Sequence, residues 1–246
     1  MSVTLTFLGS GDAFGSDGRL QTCLALRGAG PTILLDCGAS SLIAMKRGGI
    51  APNDVAAVVL SHLHGDHFGG VPFLVLDGQF ARRTTPLVVA GPPGLRERVE
   101  RAMEVFFPGS TRVERRFAVD FVELADRRVA DVAGARVTAF TVEHASGAPA
   151  YALRVEYGAR IVTYSGDTEW TESLVDAARA ADCFVCEAYT FDRKVPYHLD
   201  YATVRLEAAR FGARRIVLTH MGPSMLERRA EAAFECASDG LVLTLA

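Results

Sequence analysis

Four side chains that can bind metal ions lie within six residues, in the stretch 62–67, which reads His-Leu-His-Gly-Asp-His. Imidazole nitrogens bind zinc, manganese or iron, and a neighbouring carboxylate can bridge to a second metal ion or orient a water molecule. A polar loop that carries histidines for other reasons is the alternative, but few other uses need four such side chains at this spacing. The stretch therefore predicts a metal site with His62, His64, Asp66 and His67 as candidate ligands.

The residues on either side of this stretch predict how it is held. Residues 55–61, VAAVVLS, form an apolar run rich in β-branched side chains, which is typical of a buried strand. Residues 68–70, Phe-Gly-Gly, lead into the apolar segment 71–76, which can begin a helix. The candidate ligands are therefore expected on a loop between two packed elements, where their directions can be fixed.

Four more apolar runs, each predicted to be a strand, end on side chains that bind metals or transfer protons. The runs 136–142, 160–164, 183–186 and 214–219 lead respectively to Glu143-His144, Ser165-Gly-Asp167, Glu187 and His220. Strands that end at one edge of a sheet bring such residues into a shared crevice. Chance could produce one or two of these endings, but four of them beside the first cluster indicate a single site.

The order of predicted elements indicates the fold. Strands are expected at 3–8, 22–27, 32–35, 86–90, 118–124 and 241–245, and helices at 40–46, 95–106, 171–180, 201–211 and 224–236, besides the runs named above. No linker or domain boundary is evident. Two halves with strands inside and helices outside predict an α/β (α+β) chain that folds as a four-layer αββα sandwich, one domain over residues 1–246.

Composition narrows the class of protein. Of 246 residues, 49% are hydrophobic, which is enough for a substantial core, and the net charge of −3 gives no general electrostatic argument for nucleic-acid binding. No secretory signal is recognisable in residues 2–8, and no apolar run approaches the length of a membrane span. Five cysteines without a regular framework favour a reducing compartment. We therefore expect a cytoplasmic protein without a membrane segment.

Three features each leave two interpretations. Cys183 and Cys186 have the spacing of a redox or zinc pair, but they lie in an apolar run and we interpret them as buried strand residues. Asp36 either supports the metal loop or caps a turn or helix. The loop 9–18, rich in turn residues, is either a flexible loop near the site or a wide turn.

Taken together, these residues resemble the metallo-β-lactamase-fold hydrolases, and within them the branch of tRNase Z and related phosphodiesterases. The resemblance covers nearly the whole chain and rests on Phe7-Leu-Gly-Ser-Gly11, Ser61-His-Leu-His-Gly-Asp-His67, His144, Ser165-Gly-Asp-Thr168, Cys186-Glu-Ala-Tyr-Thr190 followed by His198, and Thr219-His220. It implies a metallo-β-lactamase αββα sandwich with two divalent metal ions, zinc being expected and Mn²⁺ or Fe²⁺ the alternatives. One ion would be held by His62, His64 and His144, the other by Asp66, His67 and His220, with Asp167 bridging both.

The resemblance also implies a proton donor. In the tRNase Z branch a Glu–His pair beside the metals is thought to protonate the leaving oxygen, and Glu187 and His198 match that pair. The match is loose, because residues 197–200 read Tyr-His-Leu-Asp where that branch has Gly-His-Ser/Thr. Thr203 stands in for the missing threonine, or a helix simply starts there. A capping or surface histidine is the alternative interpretation of His198.

One departure bears on the substrate. Bacterial tRNase Z usually carries a long tRNA-clamping arm between the matches to His144 and Asp167, whereas residues 145–166 leave room only for a hairpin. The Arg-Arg pairs at 82–83, 115–116, 127–128, 214–215 and 228–229 are scattered among acidic residues, as on an ordinary solvated surface. We therefore expect a small or short phosphodiester as the substrate rather than tRNA, and, by analogy with relatives, a homodimer.

The expected function is a metal-dependent phosphodiesterase. Two metal ions about 3.5–4 Å apart lower the pKa of a shared water toward about 7, which supplies hydroxide at neutral pH. Asp66 acts as a ligand, as a proton acceptor, or as both, while His198 protonates the leaving oxygen and Glu187 fixes its tautomer. Lactone, thioester or β-lactam hydrolysis on the same scaffold is the alternative and would leave the Glu187–His198 pair idle. A tRNA 3′-end endonuclease and a non-catalytic metal-binding protein are less favoured.

Overall fold

The computed structural model describes residues 2–245, which form two seven-stranded β-sheets packed face to face. The first sheet contains β1 (Val3–Gly9), β2 (Cys23–Arg27), β3 (Thr32–Leu35), β4 (Val55–Val59), β5 (Leu87–Gly91), β6 (Val119–Glu123) and the last strand of the chain, β14 (Val242–Leu245). The second contains β7 (Val129–Val132), β8 (Ala135–Val142), β9 (Ala150–Tyr157), β10 (Arg160–Tyr164), β11 (Cys183–Glu187), β12 (Ile216–Thr219) and β13 (Glu235–Cys236). The strand orders are β14-β1-β2-β3-β4-β5-β6 and β13-β12-β11-β10-β9-β8-β7.

Helices cover the outer face of each sheet. In chain order they are α1 (Ser41–Arg47), α2 (Gly65–Phe68), α3 (Val71–Phe80), α4 (Leu95–Phe106), α5 (Ser173–Ala178), α6 (Tyr201–Phe211) and α7 (Pro223–Glu227). Apolar side chains of α1, α3 and α4 pack on the first sheet, and those of α5, α6 and α7 pack on the second. The four-layer αββα sandwich expected from the sequence is confirmed. Within residues 2–245, none of the helices has the length and apolar character that crossing a membrane requires.

The central strands are apolar at successive positions because both of their faces are covered. In β3 every residue is buried: Ile33 and Leu35 belong to the core between the sheets, and Leu34 packs on the helices outside. In β11 all five residues are buried in the same way. Side chains alternate between the faces of a strand, so a doubly covered strand reads as a continuous apolar run.

Both sheets place their parallel portions next to the stretch 62–67, which carries the candidate metal ligands. Strands β3 to β6 are parallel, and so are β10 to β13. The carboxyl ends of parallel strands point the same way, so the loops after β4, β10, β11 and β12 emerge at common edges. The N–H of Tyr151 donates to the carbonyl of Ser61 at 2.9 Å and thereby joins the second sheet to the start of the metal-binding loop.

The predicted helix over 224–236 is wrong. Helix α7 ends at Glu227, a 3₁₀ turn follows, and β13 then pairs in parallel with β12. The N–H of Ala237 donates to the carbonyl of Leu218 at 2.8 Å, and the N–H of Ala233 donates to the hydroxyl of Tyr201 at 2.8 Å. These long-range hydrogen bonds outweigh the local helical pattern, which is a weak preference by itself.

The segment that follows β3 forms hydrogen bonds with the loop 62–67 and with the residues just after it. The N–H of Cys37 donates to the carbonyl of His67 at 2.6 Å, and the N–H of Gly70 donates to the carbonyl of Cys37 at 2.8 Å. A Cβ atom at Gly38 would lie 2.3 Å from the carbonyl oxygen of Asp66 and 2.6 Å from the Cβ of Gln21. The close approach of these two backbones therefore requires a glycine at position 38.

We expect Gly38→Ala to lower the free energy of unfolding by about 1–3 kcal/mol, because the added methyl group forces the two segments apart. Urea unfolding followed by circular dichroism measures the change. Gly65→Ala is the matched control, since a Cβ at Gly65 meets nothing within 4 Å and its helical backbone accepts alanine. Equal stability of the two variants would show that the backbones can separate without cost.

Candidate metal centre

The first group of candidate ligands consists of His62, His64 and His144. One nitrogen from each ring lies within 4.8 Å of the others, and the Nε2 of His144 is 3.1 Å from the Nδ1 of His64. The other nitrogen of His144, Nδ1, donates to the carbonyl of Tyr197 at 2.8 Å. That hydrogen bond fixes the neutral tautomer of His144 and leaves Nε2 as the free acceptor, which is the state that binds a metal ion.

The second group consists of Asp66, His67, Asp167 and His220, which are all buried. The Nε2 of His67 is 3.0 Å from Asp66 Oδ2 and 3.4 Å from Asp167 Oδ2. The Nε2 of His220 is 3.3 Å from Asp66 Oδ2 and 3.4 Å from Asp167 Oδ2. Because Asp167 Oδ2 is also 4.0 Å from the Nε2 of His62, this carboxylate lies between the two groups.

The chemistry of these side chains fits bound cations. Four of their buried atoms make no hydrogen bond to any residue in the range 2–245: His62 Nε2, His67 Nε2, Asp167 Oδ1 and His220 Nδ1. A buried polar atom without a partner costs about 1–3 kcal/mol, so four of them in one place require an explanation. Divalent cations between imidazoles and carboxylates would satisfy several of these atoms at once.

Asp36 resolves one of the interpretations left open by the sequence. Its Oδ1 accepts the N–H of Ser61 at 2.7 Å, and its Oδ2 accepts the hydroxyl of Ser61 at 2.7 Å. Oδ2 also lies 2.7 Å from the Nδ1 of His67, so this ring donates to Asp36 and turns its Nε2 toward Asp66 and Asp167. Asp36 thus supports the metal-binding loop and orients His67, while Ser61, which the sequence analysis did not single out, transmits part of that support.

The pKa shifts at the centre have two causes: the burial of ionisable side chains and their close approach to opposite charges. Burial, reinforced by His67, lowers the pKa of His62 well below its usual value. Burial alone would lower the pKa of His220, but Asp167 and Asp66 outweigh it and raise the value to about 9. Burial alone would likewise raise the pKa of Asp167, but the imidazoles of His220 and His67 hold it well below the usual range. Without metal ions, protons on imidazoles therefore balance the carboxylates, and bound cations would replace those protons.

Glu187 and His198 form a pair beside the second group. The buried Glu187 Oε1 accepts a hydrogen bond from the Nδ1 of His198, and its Oε2 accepts the N–H of Thr168 at 2.9 Å. The Nδ1 of His198 lies 4.0 Å from Asp167 Oδ2, and its ring stacks on that of His220 with centroids 6.0 Å apart. Burial opposes the charged imidazole, but the hydrogen bond and charge of Glu187 raise the pKa of His198 above its usual value. The surface-histidine interpretation is therefore wrong for His198.

A third group of acidic and imidazole side chains overlaps the second. Asp167, Glu187, His198 and His220 also have ligand-type atoms within 4.8 Å of one another. Glu187 is already bonded to the N–H of Thr168 and to the Nδ1 of His198, so its oxygens are engaged within the protein. The arrangement is better suited to orienting His198 than to holding a further ion.

The structure of the turn that carries His198 shows where this chain departs from Gly-His-Ser/Thr. The N–H of His198 donates to the carbonyl of Val195 at 3.2 Å, and Tyr197 has a left-handed backbone with φ 68°. A position with positive φ favours glycine, but Tyr197 occupies it here. Asp200 caps α6 by accepting the N–H of Thr203 at 2.8 Å, so the helix starts there and Thr203 is part of its first turn. The role of the Tyr197 carbonyl as the partner of a candidate ligand was not predicted.

Two further segments frame the centre. The loop 9–18 contacts it, because the carbonyl of Ser10 accepts the N–H of His220 at 3.1 Å. Between His144 and Asp167 the chain forms a short loop and the strands β9 and β10, which agrees with the predicted hairpin. A cavity of about 260 Å³ adjoins His198 and is lined partly by Trp170, Lys194 and Val195.

The cysteines take no part in the centre. Cys183 and Cys186 are buried in β11 and are not bonded to each other, as the strand interpretation predicts. Burial raises the pKa of Cys183 to about 12, which keeps its thiol protonated at neutral pH. A protonated, buried thiol is a poor nucleophile, and among residues 2–245 neither cysteine belongs to a group of candidate metal ligands.

Comparison with the sequences of known proteins relates this chain to one superfamily. A family model described as the beta-lactamase superfamily domain matches residues 31–221. The Ribonuclease Z of Agathobacter rectalis is 28% identical over 276 aligned positions, which cover 91% of this chain and 89% of the relative. Because that alignment has more positions than the 246 residues of this chain, the relative contains segments that this chain lacks.

Solved structures share the fold over almost the entire chain. The short form of human tRNase Z has a TM-score of 0.80 and 25% identity, with 99% of each chain covered. A diphosphatase of the PhnP family has a TM-score of 0.76 and 22% identity, with 98% of this chain and 97% of that chain covered.

We expect Asp36→Asn to weaken metal binding by about 10- to 100-fold, because an amide offers one acceptor where the carboxylate supports both Ser61 and His67. Asparagine tolerates the left-handed backbone at this position, where φ is 56°. Any change in metal affinity is therefore due to the loss of one carboxylate oxygen. Competition with a chelating dye measures the affinity. Asp182→Asn is the control, since Asp182 bonds Arg160 and Arg214 at 3.3 Å away from the centre. Unchanged affinity in the Asp36 variant would show that Asp36 does not position the ligands.

Proposed function

This chain belongs to the beta-lactamase superfamily and is a metal-dependent hydrolase of that fold, and we propose that it is a phosphodiesterase with a dinuclear metal centre. The proposed substrate is a small or short phosphodiester. The observation that carries the proposal is the Glu187–His198 pair beside the two groups of candidate ligands.

We propose the ligands in two sets joined by one carboxylate. His62, His64 and His144 would hold one ion, Asp66, His67 and His220 would hold the other, and Asp167 would bridge them. Imidazoles mixed with carboxylates suit zinc best among common divalent ions, with Mn²⁺ or Fe²⁺ as alternatives. When bound, such a pair of ions supplies a nucleophile at neutral pH and neutralises charge on the phosphoryl group.

The Glu187–His198 pair would supply the proton that cleavage of a phosphodiester requires in addition to the metal ions. The leaving alkoxide is a strong base and must receive a proton as its bond to phosphorus breaks. His198 is partly exposed, and its Nδ1 is engaged by Glu187, so Nε2 is the atom that can donate. The carboxylate also raises the pKa of His198 above its usual value, which favours the charged ring that can donate a proton.

The same pair supports phosphodiester cleavage over thioester hydrolysis. Thioesters release a thiolate, which is far less basic than an alkoxide and does not need a separate acid. Burial and the nearby Asp167 raise the pKa of Glu187, and the hydrogen bond and charge of His198 oppose this rise only in part. A thioester hydrolase would not need the proton that this pair can supply, so the pair favours a substrate with a basic leaving group.

We propose that Asp66 has two roles, as a metal ligand and as a proton acceptor. One oxygen, Oδ2, contacts the imidazoles of His67 and His220, which supports the proposal that it binds the second ion. The other oxygen is the carboxylate acceptor available to the proton of the attacking water. Burial alone would raise the pKa of Asp66, but His67 and His220 hold it well below its usual range, so Asp66 stays ionised.

The segment between His144 and Asp167 supports the proposal of a small substrate. That segment contains a loop and the strands β9 and β10 and no long arm, so it offers no clamp for a large RNA. The relative named Ribonuclease Z contains segments that this chain lacks. A short phosphodiester is therefore favoured over tRNA. We further propose one domain over residues 1–246, a homodimer, and, from the five free cysteines, a cytoplasmic location.

A substrate panel on the zinc-loaded protein tests the proposal directly. Hydrolysis of bis(p-nitrophenyl) phosphate and of a dinucleoside monophosphate, with little turnover of a lactone or a thioester, is the expected result. Preferential turnover of the lactone or thioester would assign the protein to a different reaction class.

We expect His198→Ala to reduce kcat on the dinucleoside monophosphate by about 10²–10⁴-fold, because its alkoxide leaving group needs the proton. On bis(p-nitrophenyl) phosphate, whose leaving group departs unprotonated, the loss should stay below about tenfold. Glu187→Gln is the companion variant: it keeps an acceptor for the Nδ1 of His198 but removes the charge, so an intermediate loss is expected. Equal losses of the His198 variant on both substrates would remove His198 from the acid role.

We expect Asp167→Ala to bind fewer than two metal ions per chain, because the carboxylate between the two groups is lost. Metal content after dialysis, measured by inductively coupled plasma mass spectrometry, gives the number. Asp182→Ala, which removes a carboxylate outside the centre, serves as the control. Two equivalents of metal in the Asp167 variant would contradict the bridging assignment.

A further inference from the structure

Three residues at the candidate metal centre have a left-handed backbone conformation. Within residues 2–245, eight residues other than glycine have positive φ, and three of these lie at the centre: Asp36, Tyr197 and His220. Such conformations are unfavourable for residues with a side chain, and they cluster at functional sites. Asp36 supports the metal-binding loop and His220 is a proposed ligand, whereas the side chain of Tyr197 has no assignment so far.

The backbone of Tyr197 is held firmly in this conformation. Pro196 and Tyr197 are the two central residues of the turn closed by the hydrogen bond from His198 to Val195, and φ at Tyr197 is 68°. Proline followed by a residue of positive φ is the pattern of a type II turn, whose third position favours glycine or asparagine. The N–H of Tyr197 donates to Glu169 Oε1 at 2.6 Å, and its carbonyl accepts the hydrogen bond of His144.

These contacts explain the turn but not the tyrosine. Both hydrogen bonds use main-chain atoms, which glycine or asparagine would supply with less strain. The Tyr197 side chain makes no hydrogen bond to residues 2–245, and 48% of the residue is exposed. Its ring nevertheless lies beside the metal centre, with its centroid 6.4 Å from that of the His144 ring and the two planes at 89°. The chain thus presents a free aromatic face next to a proposed ligand.

Two cations precede the tyrosine on the same segment. Arg193 and Lys194 are exposed, and among residues 2–245 neither forms an ion pair with an acidic side chain. Unpaired basic groups beside a centre that binds a phosphodiester favour a substrate with further negative charge or polar groups. An aromatic face together with basic groups is the combination that binds nucleotides without strict base preference.

We propose that Tyr197 is a specificity-determining residue whose ring stacks on the nucleobase of a nucleotide substrate while the phosphodiester occupies the metal centre. This proposal rests on the proposed function, because it extends the substrate outward from the scissile phosphate. It narrows the substrate class to phosphodiesters that carry a planar heterocycle. Stacking depends on the face of the base rather than on its edges, so all common bases are accommodated.

Binding of two probes by the zinc-loaded protein tests this proposal without turnover. Adenosine 5′-monophosphate and ribose 5-phosphate share a sugar and a phosphate and differ by the base, so the ratio of their Kd values isolates the contribution of the base. We expect the wild-type protein to favour adenosine 5′-monophosphate by about fivefold or more in isothermal titration calorimetry. Tyr197→Asn should abolish the preference, and Tyr197→Phe should retain most of it.

Controls separate stacking from a structural role. Phe80→Asn removes another exposed aromatic ring, 78% exposed at the end of α3, and should leave the Kd ratio unchanged. Tyr197→Asn and Tyr197→Gly should have a melting temperature equal to or above that of the wild type, because both relieve the unfavourable φ. A lower melting temperature for both variants, with the Kd ratio intact, would make Tyr197 a structural residue and overturn the proposal.

The remaining outcomes distinguish this proposal from the proposed function. No preference for the nucleotide in the wild type, with phosphodiesters still hydrolysed, would overturn the role of Tyr197 and leave the function standing. A preference that is lost in Tyr197→Asn, combined with turnover of lactones but not of phosphodiesters, would keep the nucleotide site and reject the proposed function.

Discussion

The structure depends on concentrating imidazoles and carboxylates in a buried space a few ångströms across. Asp167 is the centre of this arrangement, since its Oδ2 lies within 4.0 Å of nitrogens from His62, His67 and His220. Such a cluster is costly inside a protein unless its charges and lone pairs are balanced, either by protons or by cations. The pKa shifts have opposite directions in Asp167 and in His220, as expected when opposite charges balance one another. The surrounding fold must hold these groups together against their preference for water.

The two sheets meet this requirement by their topology. Parallel strands β10, β11 and β12 deliver Asp167, Glu187 and His220 to one edge, and β4 delivers the metal-binding loop from the facing sheet. The rigid strands end just before the functional residues, so each side chain needs only a short loop. Asp36 at the end of β3 then locks the loop through Ser61 and His67. The side chains at the centre are therefore positioned by the ends of strands, and the loops that carry them are short.

Much of this arrangement was predictable because its signals are local. The apolar runs and the polar residues that end them predicted the strands, and the spacing in 62–67 predicted the first cluster. The partnership of Glu187 with His198 was accessible only through resemblance, since eleven positions along the chain carry no information on distance. The role of Asp36 remained open because a carboxylate after a strand can cap a turn equally well. The helix predicted over 224–236 failed because β13 is defined by its partner β12 rather than by its own residues.

The turn at 195–198 joins two functions that the sequence presents as separate. Its third residue, Tyr197, supplies the carbonyl that fixes the tautomer of His144, and its fourth, His198, is the proposed acid. Glu169, two residues after Asp167, holds the same turn through the N–H of Tyr197. A proposed ligand of the first ion and the proposed acid are thus held by one turn, and the hydrogen bond from Tyr197 to Glu169 ties that turn to the segment that carries Asp167. A displacement of this turn would disturb ligand orientation and proton donation together, so the two properties cannot be adjusted independently at this position.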